Sequence, residues 1–356
     1  MIIMQEIFKG VKIIELASVL AGPAVGMFFA ELGAEVIKIE NATTGGDVTR
    51  SWKLPSEPQD AAGSAYFYSV NYNKTHLFLD LENAEDQQKT LDLLRGSDIV
   101  ISNFKPSSAK RLGMDYERLK ALNPKIIYAQ IYGYDAEDET PAFDVVLQAE
   151  TGFMQMNGER GGKAVKMPVA LIDILAAHQL KEAILIALLQ RERTGKGAFV
   201  STSLYESAVA SLANQATNWL VAGQIPQRIG SEHPNIAPYG DVFETADKAQ
   251  IVLACGTERQ WKNLCSALNV SDLNNDNAFK TNALRVQNRQ KLLEILRGCI
   301  SSFQRDDVLN LLKQNSVPAA AIRTMPEVFE HPLAQAMILE NGNERRVKTV
   351  AFRLDA

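Results

Sequence analysis

The sequence has little of what several kinds of chemistry require. Its three cysteines, Cys255, Cys265 and Cys299, are odd in number and widely spaced. That argues against a disulfide framework and against a thiolate zinc site. Its four histidines, His76, His178, His233 and His331, nowhere stand at metal-ligand spacing, so no metal is expected. No apolar run reaches the length of a bilayer span. The opening MIIMQEIFKG lacks the basic start and long apolar stretch of a signal peptide. A cytoplasmic location, with no membrane partner, is expected. The formal net charge of −5 is mild and no block of like charges stands out, which disfavours nucleic acid as a partner. A dinucleotide fingerprint is also missing. In the turn Ser18–Gly26 the two glycines, Gly22 and Gly26, are separated by three residues, so a nicotinamide dehydrogenase is disfavoured.

What is present is a large core and an alternating pattern. With 356 residues, 46% of them hydrophobic, the chain is long enough for two domains. Val11–Leu16 reads as a short buried strand, Ala24–Leu32 as a helix opened by Pro23 and stopped at Gly33, and Glu35–Glu40 as the next strand. Strands at Leu77–Leu81, Ile99–Phe104 and Ile126–Tyr132, with a helix at Ala84–Leu94, continue the alternation. Strands alternating with helices predict an α/β fold with a doubly wound parallel sheet. The run Ile172–Arg193 is apolar on most faces and predicts a buried helix ended by Gly195. Arg228–Asp241 is rich in glycine and proline and reads as a linker or loop. Beyond it, strands at Val242–Phe243 and Gln250–Ala254 and helices at Glu258–Leu268, Asn288–Phe303 and Arg305–Gln314 predict a smaller α+β domain. The expected division is 1–225, 226–329, and a return segment, 330–356, packing on the large domain.

One carboxylate stands out. Asp173 lies in the otherwise apolar stretch PVALIDILAA. A charge there is costly unless something compensates it. It either caps the helix or first turn, or serves as a carboxylate nucleophile in a dry pocket. A helix N-terminus would help keep it ionised. His178, five residues on, falls on a different helix face, so a cooperating pair is not expected. Lys74, Lys105, Lys110 and Arg111 follow strand ends or open helices, where a doubly wound sheet gathers its ligand crevice. Each also reads as an ordinary surface charge. Phe104, beside Asn103 at a strand end, either stacks on a base or fills the core.

In order along the chain come Gly10–Leu16 with Ala21–Pro23, Leu32–Glu40, Gly46–Arg50, Asn71–Lys74, Asn103–Pro106, Arg111–Gly113, Asp144–Ala149, Asp173, Glu192–Gly197 and His233–Tyr239. This ordered set resembles the class III coenzyme A-transferases, a family that also holds the α-methylacyl-CoA racemases. The resemblance covers nearly the whole chain. It implies a large Rossmann-like CoA-binding domain, a smaller domain, and a ring-like subunit interlocked with its twin in a homodimer.

The resemblance also implies a reaction: coenzyme A moves from an acyl-CoA donor to a carboxylic acid acceptor. Asp173 matches the catalytic aspartate, which passes through an aspartyl–acyl anhydride and an aspartyl–CoA thioester. No cofactor is bound permanently; coenzyme A and acyl-CoA are substrates. Val19 and Ala21 match a loop that contacts CoA. Asn73 and Lys74 match positions near the pantetheine and nucleotide, and Asn103, Phe104 and Arg111 match the adenine and phosphate pocket. Lys74 or Arg111 would give charge-assisted bonds to phosphate. Asp144 is expected to orient the site through hydrogen bonds.

The chain departs from the family pattern in places. Asn41 stands where some transferases carry an arginine, Ala177 where a glycine is usual, and no glycine run occurs in the second domain. In the racemases a histidine precedes the residue matching Asp144; here it is Phe143, which cannot move a proton. Transfer is therefore expected over racemisation. A CoA-binding homologue without catalysis is the other alternative.

Overall fold

The computed structural model describes residues 6–341 and 344–354. They form two compact units. One comprises residues up to Phe153, Lys166–Ile225 and the stretch from Ala336; the other comprises Met154–Val165 and Pro226–Gln335.

The first unit is built on six parallel strands: β1 (Lys12–Glu15), β2 (Glu35–Asn41), β3 (Lys74–Leu79), β4 (Ile99–Ser102), β5 (Ile127–Tyr132) and β6 (Ala198–Ser203). Their order, 3-2-1-4-5-6, is that of a doubly wound sheet. The strands read as apolar runs because helices cover both faces. Ile13, Ile99, Ile101 and Ile127 pack with the helices Ala21–Glu31 and Leu171–Thr194 on one side. Ile14, Ile37, Val100 and Tyr128 pack with Leu91, Leu94 and Leu119 on the other.

Two glycines let the Ala21–Glu31 helix settle against β1. A Cβ at Gly22 would strike the Ala17 methyl, and one at Gly26 would strike the Glu15 carboxylate. The Leu171–Thr194 helix follows the predicted span within a residue at each end and stops at Gly195, whose φ is +69°. That left-handed conformation suits glycine.

Two strands of this six-stranded sheet depart most from expectation. β3 begins at Lys74 and ends at Leu79, whereas the apolar LFLDL run suggested Leu77–Leu81. Pairing with β2 starts at Lys74 because the polar side chains of Lys74 and His76 find carboxylates, Glu15 and Glu40. β6, sequence AFVSTS, was not anticipated: an edge strand half-buried on alternate residues carries too few apolar side chains to stand out.

The second unit holds an antiparallel sheet of β7 (Tyr239–Glu244), β8 (Gln250–Ala254) and β9 (Ala319–Ala321). Trp261, Leu264, Leu292, Leu296, Val308 and Leu312 form its core. The proline-rich stretch before β7 is fixed by Arg289, which donates to Asp241 and to the carbonyls of His233 and Ile236. In the first unit, Ile338–Asn341 and Glu344–Val347 pair as an antiparallel hairpin. Glu31 then accepts from Thr349 and Val350, which ties this stretch to the Ala21–Glu31 helix.

Candidate active site

Sheet order reverses between β1 and β4, and the crevice outside such a switch point is where doubly wound folds bind ligands. Ser18 follows β1 and Asn103 follows β4. Together with Val19–Ala21, Phe104, Lys105, Tyr132, Pro141–Phe143 and Asp173 they line a cavity of about 360 Å³. Four of the expected site residues besides Asp173 thus meet there: Val19, Ala21, Asn103 and Phe104.

Asp173 is 7% exposed and sits in the first turn of the Leu171–Thr194 helix. It does not cap that helix, and among the described residues no hydrogen bond reaches its carboxylate. Burial, and then the negative charge of Asp144, push its pKa up to about 7. The helix is capped from elsewhere. Asp144 Oδ1 accepts the Ile172 N–H at 2.7 Å, and its Oδ2 accepts from Gln148 Nε2 at 2.6 Å. Gln148 Oε1 in turn takes the Met167 N–H. Asp144 therefore orients the backbone beside Asp173, with its position fixed by its own helix, Asp144–Glu150.

The turn after β1 is held at three successive residues. The Ala17 carbonyl accepts from Lys38 Nζ at 2.5 Å. The Ser18 N–H donates to Asn103 Oδ1 at 3.2 Å, and its carbonyl accepts from Asn103 Nδ2 at 3.0 Å. The Val19 N–H donates to Asp47 Oδ2 at 3.2 Å. Val19 has φ +72°. For a β-branched residue this is strained, by about 1–3 kcal/mol, and persists only where surroundings impose it. Asn103, expected at a nucleotide pocket, instead spends its amide on this turn.

A second hollow, about 400 Å³, opens at the carboxyl ends of β1, β2 and β3 and is lined by Asn41, Thr43, Asp80, Glu82, Phe104 and Arg111, among others. Phe104 lines both hollows. Arg111 reaches this one, where it pairs with Glu82.

Lys74 and Asn73, expected near the pantetheine and nucleotide, do not line the switch-point cavity. The Lys74 ammonium is fully buried and donates to Glu15 at 2.8 Å, the Pro23 carbonyl at 2.9 Å and Asn71 at 3.0 Å. All three of its protons are engaged, so none remains for phosphate. Burial lowers its pKa to about 8, with Glu15 opposing. Asn73, at φ +54°, donates to the Ala30 carbonyl and lines a different hollow, beside Arg50 and His76.

Sequence reasoning missed three neighbours of the site. Tyr66 has its pKa raised to about 12 by burial and by the charges of Asp173, Asp144 and Asp47, which places its phenol in their field. No sequence signal marked it. Lys38 and Asp47 form a buried ion pair, 3.1 Å apart. Burial works against the Lys38 ammonium, but Glu15 and Asp47 outweigh it and hold its pKa above the ordinary value. A lysine inside the apolar strand EVIKIE was the available signal, since a central strand cannot leave that charge unpaired.

The family model described as CoA-transferase family III matches residues 8–355. The chain is 37% identical to a succinate–glutarate CoA-transferase of Agrobacterium fabrum, over 96% of this chain and 86% of that protein. It is 34% identical to the human succinyl-CoA:glutarate CoA-transferase, over 94% of this chain and 75% of that one. A solved CAIB/BAIF family protein from Brucella suis superposes with a TM-score of 0.86 at 35% identity, covering 98% of this chain and 92% of its own. The chain belongs to CoA-transferase family III and is an enzyme of that class.

Proposed function

We propose that this enzyme transfers coenzyme A between carboxylic acids through covalent intermediates on Asp173. The observation that carries the reading is the Asp173 carboxylate itself: buried, free of hydrogen bonds among the described residues, and facing the switch-point cavity. A nucleophile tied up by donors would be a poor one, and a wet one would lose its intermediates to hydrolysis.

Asp173 attacks the thioester carbonyl, the C–S bond breaks, and an aspartyl–acyl anhydride forms as CoA thiolate leaves. The thiolate attacks the aspartyl carbonyl, releasing the donor acid and leaving an aspartyl–CoA thioester. The acceptor carboxylate attacks that carbonyl, giving a second anhydride and free thiolate. Thiolate attack on the acceptor's carbonyl yields the new acyl-CoA and regenerates Asp173. No net proton is consumed. The Leu20 and Ala21 N–H groups have no acceptor among the described residues, and both residues line the same cavity; in this reading those groups meet the charge that develops on a carbonyl oxygen.

Val19, Ala21 and Phe104 are the CoA contacts in this reading, and Arg111 is the phosphate cation. Asn103 and Asp144 support the site. The names of the relatives point to small dicarboxylates, succinyl-CoA among the donors. The first unit is the CoA-binding domain in this reading and the second the small domain, with 154–165 and 330–335 belonging to the second rather than to the expected 1–225 and return segments, and the working form is the interlocked homodimer. Exposed Ile186, Leu189, Leu220 and Val221 supply apolar surface that a second copy would cover.

Turnover with an acceptor acid labelled with oxygen-18 in its carboxylate tests the route. The bridging oxygen of the second anhydride stays with the enzyme, so the peptide containing Asp173 gains the label. Direct attack of acceptor on donor would leave the protein unlabelled.

A further inference from the structure

We propose that Lys38 and Asp47 are positioning residues for this reaction: a buried ion pair that fixes the Ala17–Val19 backbone in the shape that receives the CoA thioester. This rests on the reading that the cavity binds CoA. Neither residue lies against Asp173, and their action is entirely through the turn.

Both charges are spent on the turn as well as on each other. Lys38 is 1% exposed and Asp47 5%. Lys38 donates to Glu15 and Asp47, but also to the Ala17 carbonyl. Asp47 accepts from Thr49 and Lys38, but also from the Val19 N–H. One partner of the pair therefore holds each end of a three-residue turn, and Asn103 holds the middle from the opposite strand. A plain link from β1 to the following helix needs none of this.

Val19 shows that the turn is held against its own preference. Its left-handed φ would relax in an unrestrained turn. Just beyond it, Leu20 and Ala21 line the cavity, and their N–H groups have no acceptor among the described residues. The pair is built into β2 and the loop after it, so the rigid sheet sets the turn rather than the ligand.

The test is Asp47→Asn, which keeps an acceptor for Val19 but removes the charge opposite Lys38. Calorimetry with CoA, and KM and kcat with succinyl-CoA, are the readouts. The expected result is CoA affinity weaker by about tenfold or more. KM rises to match, and kcat falls as well, because the same turn carries the Leu20 and Ala21 N–H groups that meet the charge developing on the carbonyl oxygen. Leu119→Ala, a core truncation under the sheet, serves as the control and should lower thermal stability while leaving KM within about twofold. Glycine adopts positive φ freely, so the Asp47→Asn penalty should be at least about threefold smaller in a Val19→Gly background. Unchanged CoA affinity in folded Asp47→Asn, or an equal penalty in both backgrounds, would overturn the proposal. Should Asp47→Asn fail to fold, Asn103→Ala carries the same expectations and the same failure criterion. Calorimetry needs no turnover. Wild-type enzyme that binds CoA yet never labels Asp173 defeats the covalent route and leaves the positioning role to be judged by affinity alone; wild-type enzyme that binds no CoA defeats both.

Discussion

Asp144 grips the peptide immediately before Asp173: its Oδ1 accepts the Ile172 N–H at 2.7 Å, and its charge is the second cause of the raised Asp173 pKa. One carboxylate thus caps the helix that carries the other and tunes it. Asp144→Asn keeps an acceptor for Ile172 and removes the charge. The acid limb of kcat/KM should move to lower pH by a few tenths of a unit to about one unit, with little loss of stability. Asp144→Ala should in addition lower unfolding free energy by about 0.5–2 kcal/mol, the usual cost of a lost cap. Rate–pH profiles and denaturant midpoints check the two effects separately.

The Asp173 pKa of about 7 has consequences of its own. Nucleophilic attack needs the carboxylate, so kcat/KM should rise with pH through about 7 and level off above it. For stability the sign is opposite. A carboxyl whose folded pKa lies above its ordinary value favours folding at low pH and loses that contribution as pH rises through the folded value. Asp173→Asn, verified by mass as undeamidated, should therefore gain in thermal stability over wild type as pH goes from 5 to about 8. A constant difference across that range would show that Asp173 is not held near neutrality.

Arg111 and Glu82 make a testable pair in the second hollow. Both are exposed, so the bond contributes little to stability, about 0–1 kcal/mol. If Arg111 receives a CoA phosphate, Glu82 competes for it. Glu82→Gln should tighten CoA binding by about twofold to fivefold at low ionic strength, and less at high salt. Arg111→Ala should weaken it. Titrations at two salt concentrations give both numbers.

Gly22 bears on how the turn meets β1. A Cβ there would strike the buried Ala17 methyl, next to the carbonyl that Lys38 holds. Gly22→Ala should destabilise by about 1–3 kcal/mol through overpacking. Denaturant unfolding measures it, and a neutral result would mean the helix can shift outward at no cost.

Much of this arrangement was legible in the sequence, for physical reasons. Parallel strands covered on both faces appear as unbroken apolar runs, so β1, β2, β4 and β5 stood out. Asp173 stood out because a charge in an apolar run demands an explanation. Other features depend on partners far away in the chain. Lys74 reads as a free cation in the sequence, and only the fold brings Glu15 and the Pro23 carbonyl to it. Asn103 looked like a ligand contact, and only the β1–β4 pairing shows its amide locked on Ser18. Tyr66 carries no local signal; after burial, the charges that raise its pKa belong to three acids from separate segments.

The central claim, a covalent route through Asp173, is tested most directly by intact-protein mass spectrometry after mixing with a panel of acyl-CoAs that includes succinyl-CoA, followed by peptide mapping. The account predicts a CoA or acyl adduct on Asp173, released by hydroxylamine. It is absent from Asp173→Ala, which should stay folded while losing transfer by more than about a thousandfold. A folded Asp173→Ala enzyme with near-normal turnover, or an adduct mapping to another residue, would contradict it.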